Sequence, residues 1–298
     1  MSRADFALPP HVEAMGIILR PRDAVPPILG TDQRQAIHQW LVELSAAKEL
    51  ERVGVAPRRR AIFGGPPGCG KTTMAHHIAA RLGVPLFLVD SSRLIGMHIG
   101  ETGGRLAQMF AAMRDQANKV VLLLDEFDSM AAKRGGQDSS AMKEFNNIVI
   151  AILQQIDRYD GLVIAATNRE KDIDPAIWRR FDIQMQIGLP GGDERFAILK
   201  QYGMPYEFDE AALEVLTEAT GGATPALLRG LMEGVKRNLV IGPRLQLPLD
   251  ASAVIGRVVA SLEPAEGLTR PMLWTGKFAP ELAKMEWPPT LPEAREAA

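Results

Sequence analysis

Apolar positions in the first 30 residues follow no period, and five prolines (Pro9, Pro10, Pro21, Pro26 and Pro27) interrupt them, so residues 1–30 read as an extended, proline-rich arm. Ile37, Leu41, Leu44 and Ala47 then recur at helical spacing and predict a helix over Asp32–Val53. From residue 61 onward, short aliphatic runs alternate with amphipathic stretches. The runs are Ala61–Gly64, Leu86–Val89, Val120–Leu124, Leu162–Ala166 and Ile183–Ile187. Between them, Met74, Ile78 and Leu82 lie in helical phase up to Gly83. Leu106, Met109, Phe110 and Met113 mark a second helix. Phe145, Ile148, Val149, Ile152 and Leu153 mark a third, over Ser139–Ile156, and a short helix is predicted near Pro175. Strand–helix alternation with uniformly aliphatic strands predicts an α/β domain over 31–190, with a parallel five-stranded sheet flanked by helices.

After Leu189-Pro190-Gly191 the strand signal stops. Four helical patterns follow, Asp193–Tyr202, Glu210–Ala219, Pro225–Leu239 and Ala251–Leu262, which predict a small all-α domain over 191–263. Residues 264–298 form a proline-rich tail with Trp274 and Trp287, readable either as a docking signal or as sequence that packs back on the chain.

The segment between the first predicted strand and its helix carries the chemistry. Gly65-Pro66-Pro67-Gly68-Cys69-Gly70-Lys71-Thr72 fits G-x4-G-K-[ST], followed by Thr73. Glycines let backbone N–H groups wrap phosphate oxygens, and the helix start adds positive potential. Lys71 supplies a point charge to the outer phosphates and Thr72 a hydroxyl to Mg²⁺. Cys69 reads as a small loop-filling residue. Some 50 residues on, Val121-Leu122-Leu123-Leu124-Asp125-Glu126 ends a buried strand in two carboxylates. If that strand lies beside the phosphate loop, Asp125 reaches the metal, and Glu126 orients and deprotonates a water facing the γ-phosphate.

Composition narrows the field further. With 36 acidic and 34 basic residues the formal charge is −2, so no overall basic field favours nucleic acid. The single cysteine, Cys69, allows no intrachain disulfide and fits a reducing, cytoplasmic setting. The longest aliphatic run, Ile148–Leu153, is far short of a membrane span of roughly 20 residues, and the N-terminus has no signal-peptide layout.

These motifs, with two further segments in register, resemble the AAA family of P-loop ATPases from about Ile28 to Leu239. Asp125–Arg134 looks like the family's extended acidic box, Ala165-Ala166-Thr167-Asn168-Arg169 like its sensor-1 strand, and Asp174–Asp182 like its arginine-finger segment. The resemblance implies the AAA-type P-loop fold followed by an all-α lid, ATP and Mg²⁺ as cofactors, and a nucleotide-dependent ring of copies of this chain, commonly a hexamer. It implies that Asn168 holds the attacking water or the γ-phosphate, and that Arg180 reaches the neighbour's γ-phosphate. The Pro-Gly usual between the two arginines is missing, so Arg179 and Arg180 are adjacent, and one of them is open to being a structural ion-pair partner. Gly30, in Ile28-Leu29-Gly30-Thr31, looks like an adenine-side contact. Arg229 is either a lid sensor-2 arginine or a solvated helix residue.

Leu94–Thr102 matches the family's first pore loop in position, with His98-Ile99-Gly100 where an aromatic–aliphatic–glycine pattern is usual. Met97, His98 and Ile99 are thereby implicated in contact with a protein substrate, although histidine is more polar than the usual aromatic. The leading reading is an ATP-driven remodeller or regulator of a partner protein. Two alternatives stand beside it: a slow nucleotide-gated binding module that controls a partner enzyme or protease, and a DNA helicase-loader-like ATPase. No Lys or Arg occurs in Met97–Gly100 to support the last.

Overall fold

The computed structural model describes residues 6–94, 99–128, 150–173 and 175–291, the side chains of 99–102 and 279 excepted. The chain divides into two compact units. One comprises Met1–Pro27, Thr31–Pro66 and Lys71–Ile187; the other comprises Ile28–Gly30, Pro67–Gly70 and Gly188–Ala298.

The first unit is built on a six-stranded sheet. Its strands are β1 (Gly16–Leu19), β2 (Arg60–Gly64), β3 (Leu86–Val89), β4 (Val121–Leu124), β5 (Leu162–Thr167) and β6 (Ile183–Gln186), in the order β1-β3-β4-β5-β2-β6. β2 to β6 run parallel, as the strand–helix alternation requires. The expected count of five is corrected by β1, which comes from the N-terminal arm and pairs antiparallel with β3. Its signal, Gly-Ile-Ile-Leu, is a short apolar run hidden among prolines. Gly16 is needed there because a Cβ would stand 2.3 Å from the Leu88 carbonyl oxygen. The arm is further fixed by a short helix, Pro10–Glu13, that buries Val12, and by the His76 ring, whose Nε2 lies 2.9 Å from the Arg20 carbonyl oxygen.

Every residue of β4 and β5 is buried, which is why their sequence is apolar throughout except for Thr167 at the end of β5. The core against the sheet includes Leu106, Met109, Phe110 and Met113 of the Ile99–Arg114 helix and Ile152 and Ile156 of the helical residues 150–157. Phe145, Ile148 and Val149 of the same predicted helix lie outside the described residues.

The predicted Asp32–Val53 helix is two helices, Thr31–Ser45 and Ala47–Arg52, broken at Ala46 (φ −91°, ψ 19°). Its buried contacts are Ile37 and Trp40, whereas Leu41, Leu44 and Ala47 are only partly covered. Polar chemistry rotates the packed face: Trp40 Nε1 donates to the Arg58 carbonyl at 2.8 Å. Glu43, one turn on, accepts from the Arg58 backbone N–H at 2.7 Å and from its guanidinium Nε at 2.9 Å.

The second unit packs the helices Gly192–Gly203, Glu210–Ala219, Pro225–Ile241 and Ala251–Ser261. Asp209, Thr224 and Asp250 cap three of them, each side chain accepting from first-turn backbone N–H groups. The two tail tryptophans pack here. Trp274 is buried beside Leu273, Phe278 and Leu282, and its Nε1 donates to the Leu262 carbonyl at 2.7 Å. Trp287 packs on Phe208 and donates to the Leu249 carbonyl at 2.5 Å. Among the described residues no helix is long and apolar enough to cross a membrane.

Candidate active site

β2 delivers the chain into Gly65, whose φ is 145° and whose Cα hydrogen faces the β6 exit: a Cβ there would stand 2.1 Å from the Ile187 carbonyl oxygen. Gly68 and Gly70 also hold positive φ, 78° and 90°, a region costly for residues with a Cβ. The three glycines let the loop turn sharply into the Lys71–Arg81 helix, whose first-turn N–H groups have no intrahelical acceptor. Pro67 and Thr73 are exposed, and Cys69 is buried as a loop-filling residue would be.

Lys71 is buried at the helix start. Its Nζ donates to the Gly65 carbonyl at 2.8 Å, the Pro66 carbonyl at 2.9 Å and Asn168 Oδ1 at 2.7 Å. The adjacent Thr72 donates its hydroxyl to Asp125 Oδ2 at 2.6 Å. Asp125 belongs to the turn after β4, and Asn168 follows β5. In the sheet β5 lies between β2 and β4, and β2 is flanked by β5 and β6. Asp125 still reaches Thr72 because parallel strands carry all their C-terminal ends to one edge of the sheet.

Glu126 departs from β4 with φ 48°, in the left-handed region that non-glycine residues rarely occupy. Its backbone N–H donates to Asp125 Oδ1 at 2.9 Å, and its side chain is exposed. Such backbone conformations cost of order 1–3 kcal/mol and cluster at functional sites. Two residues on, Asp128 Oδ1 accepts from Thr167 Oγ1 at 3.0 Å and from the Asn168 N–H at 3.2 Å. The sequence reading gave neither Asp128 nor Thr167 a role. The signal that could have flagged them is a third carboxylate shortly after β4, at Asp128, and a lone polar residue, Thr167, closing the otherwise apolar β5.

Arg179 and Arg180 follow the short helix Pro175–Trp178, and both are exposed. Arg180 Nη1 lies 3.3 Å from Asp157 Oδ2, whereas Arg179 forms no ion pair among the described residues. Arg229 pairs with Glu233 one turn on at 2.7 Å and lies 5.5 Å from the Tyr202 ring centroid. Gly30 is partly buried, and a Cβ on it would stand 3.0 Å from Glu194 Oε1. Met97 and His98, with Ser129–Arg134 of the acidic box and Asp174, lie outside the described residues; Ile99 opens the Ile99–Arg114 helix.

The fit to a nucleotide and its metal rests on this donor set. The loop offers glycines at positive φ and a helix start, the arrangement that turns backbone N–H groups toward an anion. One hydroxyl and one carboxylate in contact suit Mg²⁺, which usually takes one or two carboxylates and completes its shell with phosphate and water. Among the described residues no cluster of three His, Cys, Asp or Glu could hold a metal without such help. Fold and site together define a P-loop nucleotide-binding α/β protein.

Comparison with known proteins narrows this class. Residues 61–189 match the model of the ATPase family associated with various cellular activities (AAA). The chain is 40% identical over 173 residues to the "Uncharacterized AAA family ATPase y4kL" of Sinorhizobium fredii, covering 57% of this chain and 51% of that one. It is 32% identical over 230 residues to the "Proteasome-activating nucleotidase" of Thermococcus gammatolerans, 74% of this chain and 58% of that one. It is also 33% identical over 189 residues to the "Probable 26S proteasome regulatory subunit 10B" of Caenorhabditis elegans, 61% and 46% of the two chains. The chain belongs to the AAA family of P-loop ATPases. It spans about half to three-fifths of the length of these first curated relatives.

Proposed function

We propose that this chain hydrolyses Mg-ATP within a ring of its own copies and uses the cycle to remodel or regulate a partner protein. The observation that carries the reading is the meeting of three strand ends: Lys71 after β2 touches Asn168 after β5, and Thr72 touches Asp125 after β4.

In this reading the loop Gly65, Pro66, Pro67, Gly68, Cys69 and Gly70, with Lys71, binds the phosphates. Thr72 and Asp125 hold Mg²⁺, which when bound neutralises phosphate charge. Glu126 accepts a proton from water as its oxygen bonds to the γ-phosphorus. The bond from that phosphorus to the bridging oxygen breaks, and ADP and phosphate leave. Asn168 orients the water or the γ-phosphate through its carboxamide. Arg180 of a neighbouring copy supplies positive charge to the transferring group, with Arg179 beside it. The Arg229–Glu233 pair supports the second of the two roles open to Arg229, a helix-surface residue.

The names of the relatives support a protein partner, since two of them are called proteasome-activating or proteasome regulatory. Met97, His98 and Ile99 are the segment through which the partner would be gripped. Light scattering of Glu126→Gln tests the assembly: a large oligomer in Mg-ATP and a smaller species without nucleotide are expected. The same monomer mass in both states would remove the ring from this reading.

A further inference from the structure

Asn168 is exposed at the end of β5, on a residue that ends its strand in a bend. A free asparagine side chain there samples several rotamers, so a catalytic role requires something to hold it. Lys71 holds the carboxamide oxygen, but the ammonium also serves two loop carbonyls. The backbone beneath Asn168 is fixed from elsewhere. Asp128 Oδ1 receives the buried Thr167 hydroxyl at 3.0 Å and the Asn168 N–H at 3.2 Å. Thr167 Oγ1 in turn accepts from the Arg169 N–H at 3.0 Å. One carboxylate oxygen and one hydroxyl thus organise three consecutive residues, Thr167 to Arg169.

Asp128 is also tied to the other half of the site. It lies two residues after Glu126, and between them Phe127 is fully buried and packs edge-on against Phe181, with ring centroids 5.9 Å apart. Phe127 anchors the turn in the core, so Asp128 cannot shift without moving the Glu126 backbone or breaking its bonds to the β5 end. The ladder holds β4 and β5 together only as far as Leu124 opposite Ala165, upstream of both groups. Beyond that point Asp128 bonds the two strand ends directly, beside the indirect bridge that Lys71 and Thr72 make between Asn168 and Asp125.

We infer that Asp128 is a positioning residue: it fixes the spacing between the proton-accepting carboxylate of Glu126 and the carboxamide of Asn168. Accepting two hydrogen bonds on one ionised oxygen is charge-assisted and stronger than its neutral counterpart. Asparagine keeps an acceptor oxygen at the same place, whereas alanine keeps none. Small misplacements of reacting groups cost up to about 100-fold in rate. This inference rests on the ATPase reading above, so the test carries its own control.

The experiment measures steady-state phosphate release and, separately, affinity for a fluorescent ATP analogue in the full chain. Asn168→Ala is the control, and it should lower kcat. Asp128→Ala should lower kcat about 10- to 100-fold with the analogue's Kd within a factor of about 2. Asp128→Asn should recover most of the rate. The double variant Asp128→Ala/Asn168→Ala should be no slower than Asn168→Ala alone, since the spacing between Glu126 and a carboxamide no longer matters once the carboxamide is gone. If Asp128→Ala melts below the assay temperature, Thr167→Val and Thr167→Ser read the same clamp, with serine active and valine slow. Parent-like kcat in Asp128→Ala or Thr167→Val, with Asn168→Ala slow, overturns the role of Asp128 alone. Parent-like kcat in Asn168→Ala overturns the reading of the site on which it rests.

Discussion

Arg180 leans on Asp157 of its own chain, with Nη1 3.3 Å from Oδ2. Asp157 is shared: Arg60 approaches its other oxygen at 3.7 Å and donates to its carbonyl at 3.3 Å. The Arg180 and Asp157 side chains are 49% and 35% exposed, so the pair is a surface one, worth no more than about 1 kcal/mol. A tie that weak would leave Arg180 available to a phosphate on a neighbouring copy in the ring proposed above. Arg179, next to it, has no such tie among the described residues.

Mixing two inactive proteins tests which copy Arg180 serves. Arg180→Ala retains Glu126, and Glu126→Gln retains Arg180. If the arginine acts across a boundary, some mixed boundaries unite a working Glu126 with a working Arg180, and activity appears in the mixture alone. Loss of such an arginine typically costs about 10³- to 10⁵-fold, so a small recovered fraction stands clear of background. A dead mixture means Arg180 serves its own site. A fully active Arg180→Ala parent transfers the role to Arg179, where the same mixing applies.

Acid should loosen the attachment of the Thr31–Ser45 helix. The Arg58 guanidinium, hydrogen-bonded to Glu43, holds that carboxyl below its ordinary range, against a smaller opposing effect of burial. A carboxylate with a depressed folded pKa stabilises the fold fully above its unfolded value of about 4.3, and the contribution is lost as pH falls through the lower, folded value. Glu43→Gln should therefore melt below the parent at pH 7 in thermal scans. The gap should narrow only below about pH 4.3. A gap that is unchanged at pH 3, or that closes already at pH 6, would assign the stabilisation to something other than this ionised pair.

Tyr159 offers a test of the core under the sheet. Its ring is buried edge-on to Phe110, with centroids 5.6 Å apart, and among the described residues its hydroxyl has no hydrogen-bond partner. Burial raises its pKa well above the usual phenol value, so the group stays neutral. Removing an unsatisfied buried hydroxyl removes its desolvation cost, about 1–3 kcal/mol. Tyr159→Phe should raise the urea midpoint at unchanged m-value. A drop of 1 kcal/mol or more would reveal a partner for that hydroxyl.

The parallel part of the sheet was legible because β4 and β5 are buried on both faces and so carry nothing but apolar residues up to their functional ends. The phosphate loop was legible because glycine at Gly65, Gly68 and Gly70 answers a backbone demand, written in one residue type at fixed spacing. β1 was not legible. Four residues at a sheet edge, flanked by prolines, carry too little pattern to compete with the reading of an extended arm. Trp40 was missed because its place is set by a hydrogen bond to Arg58, 18 residues away, which helical periodicity does not encode. The order of the strands was also beyond the sequence, which specifies that β4 ends in acids but not that β5 intervenes between it and β2. Asp128 escaped for the same reason: its partners, Thr167 and Asn168, are about 40 residues downstream and meet it only once the sheet has formed.

The central claim is that Glu126 takes the proton in hydrolysis at a nucleotide held by Lys71. Phosphate release by Glu126→Gln, measured beside its binding of a fluorescent ATP analogue, addresses it most directly. The account predicts parent-like binding with turnover reduced at least about 100-fold, because the amide cannot accept the proton, while Lys71→Ala loses binding itself. Turnover of Glu126→Gln at the parent rate, with binding intact, would contradict it.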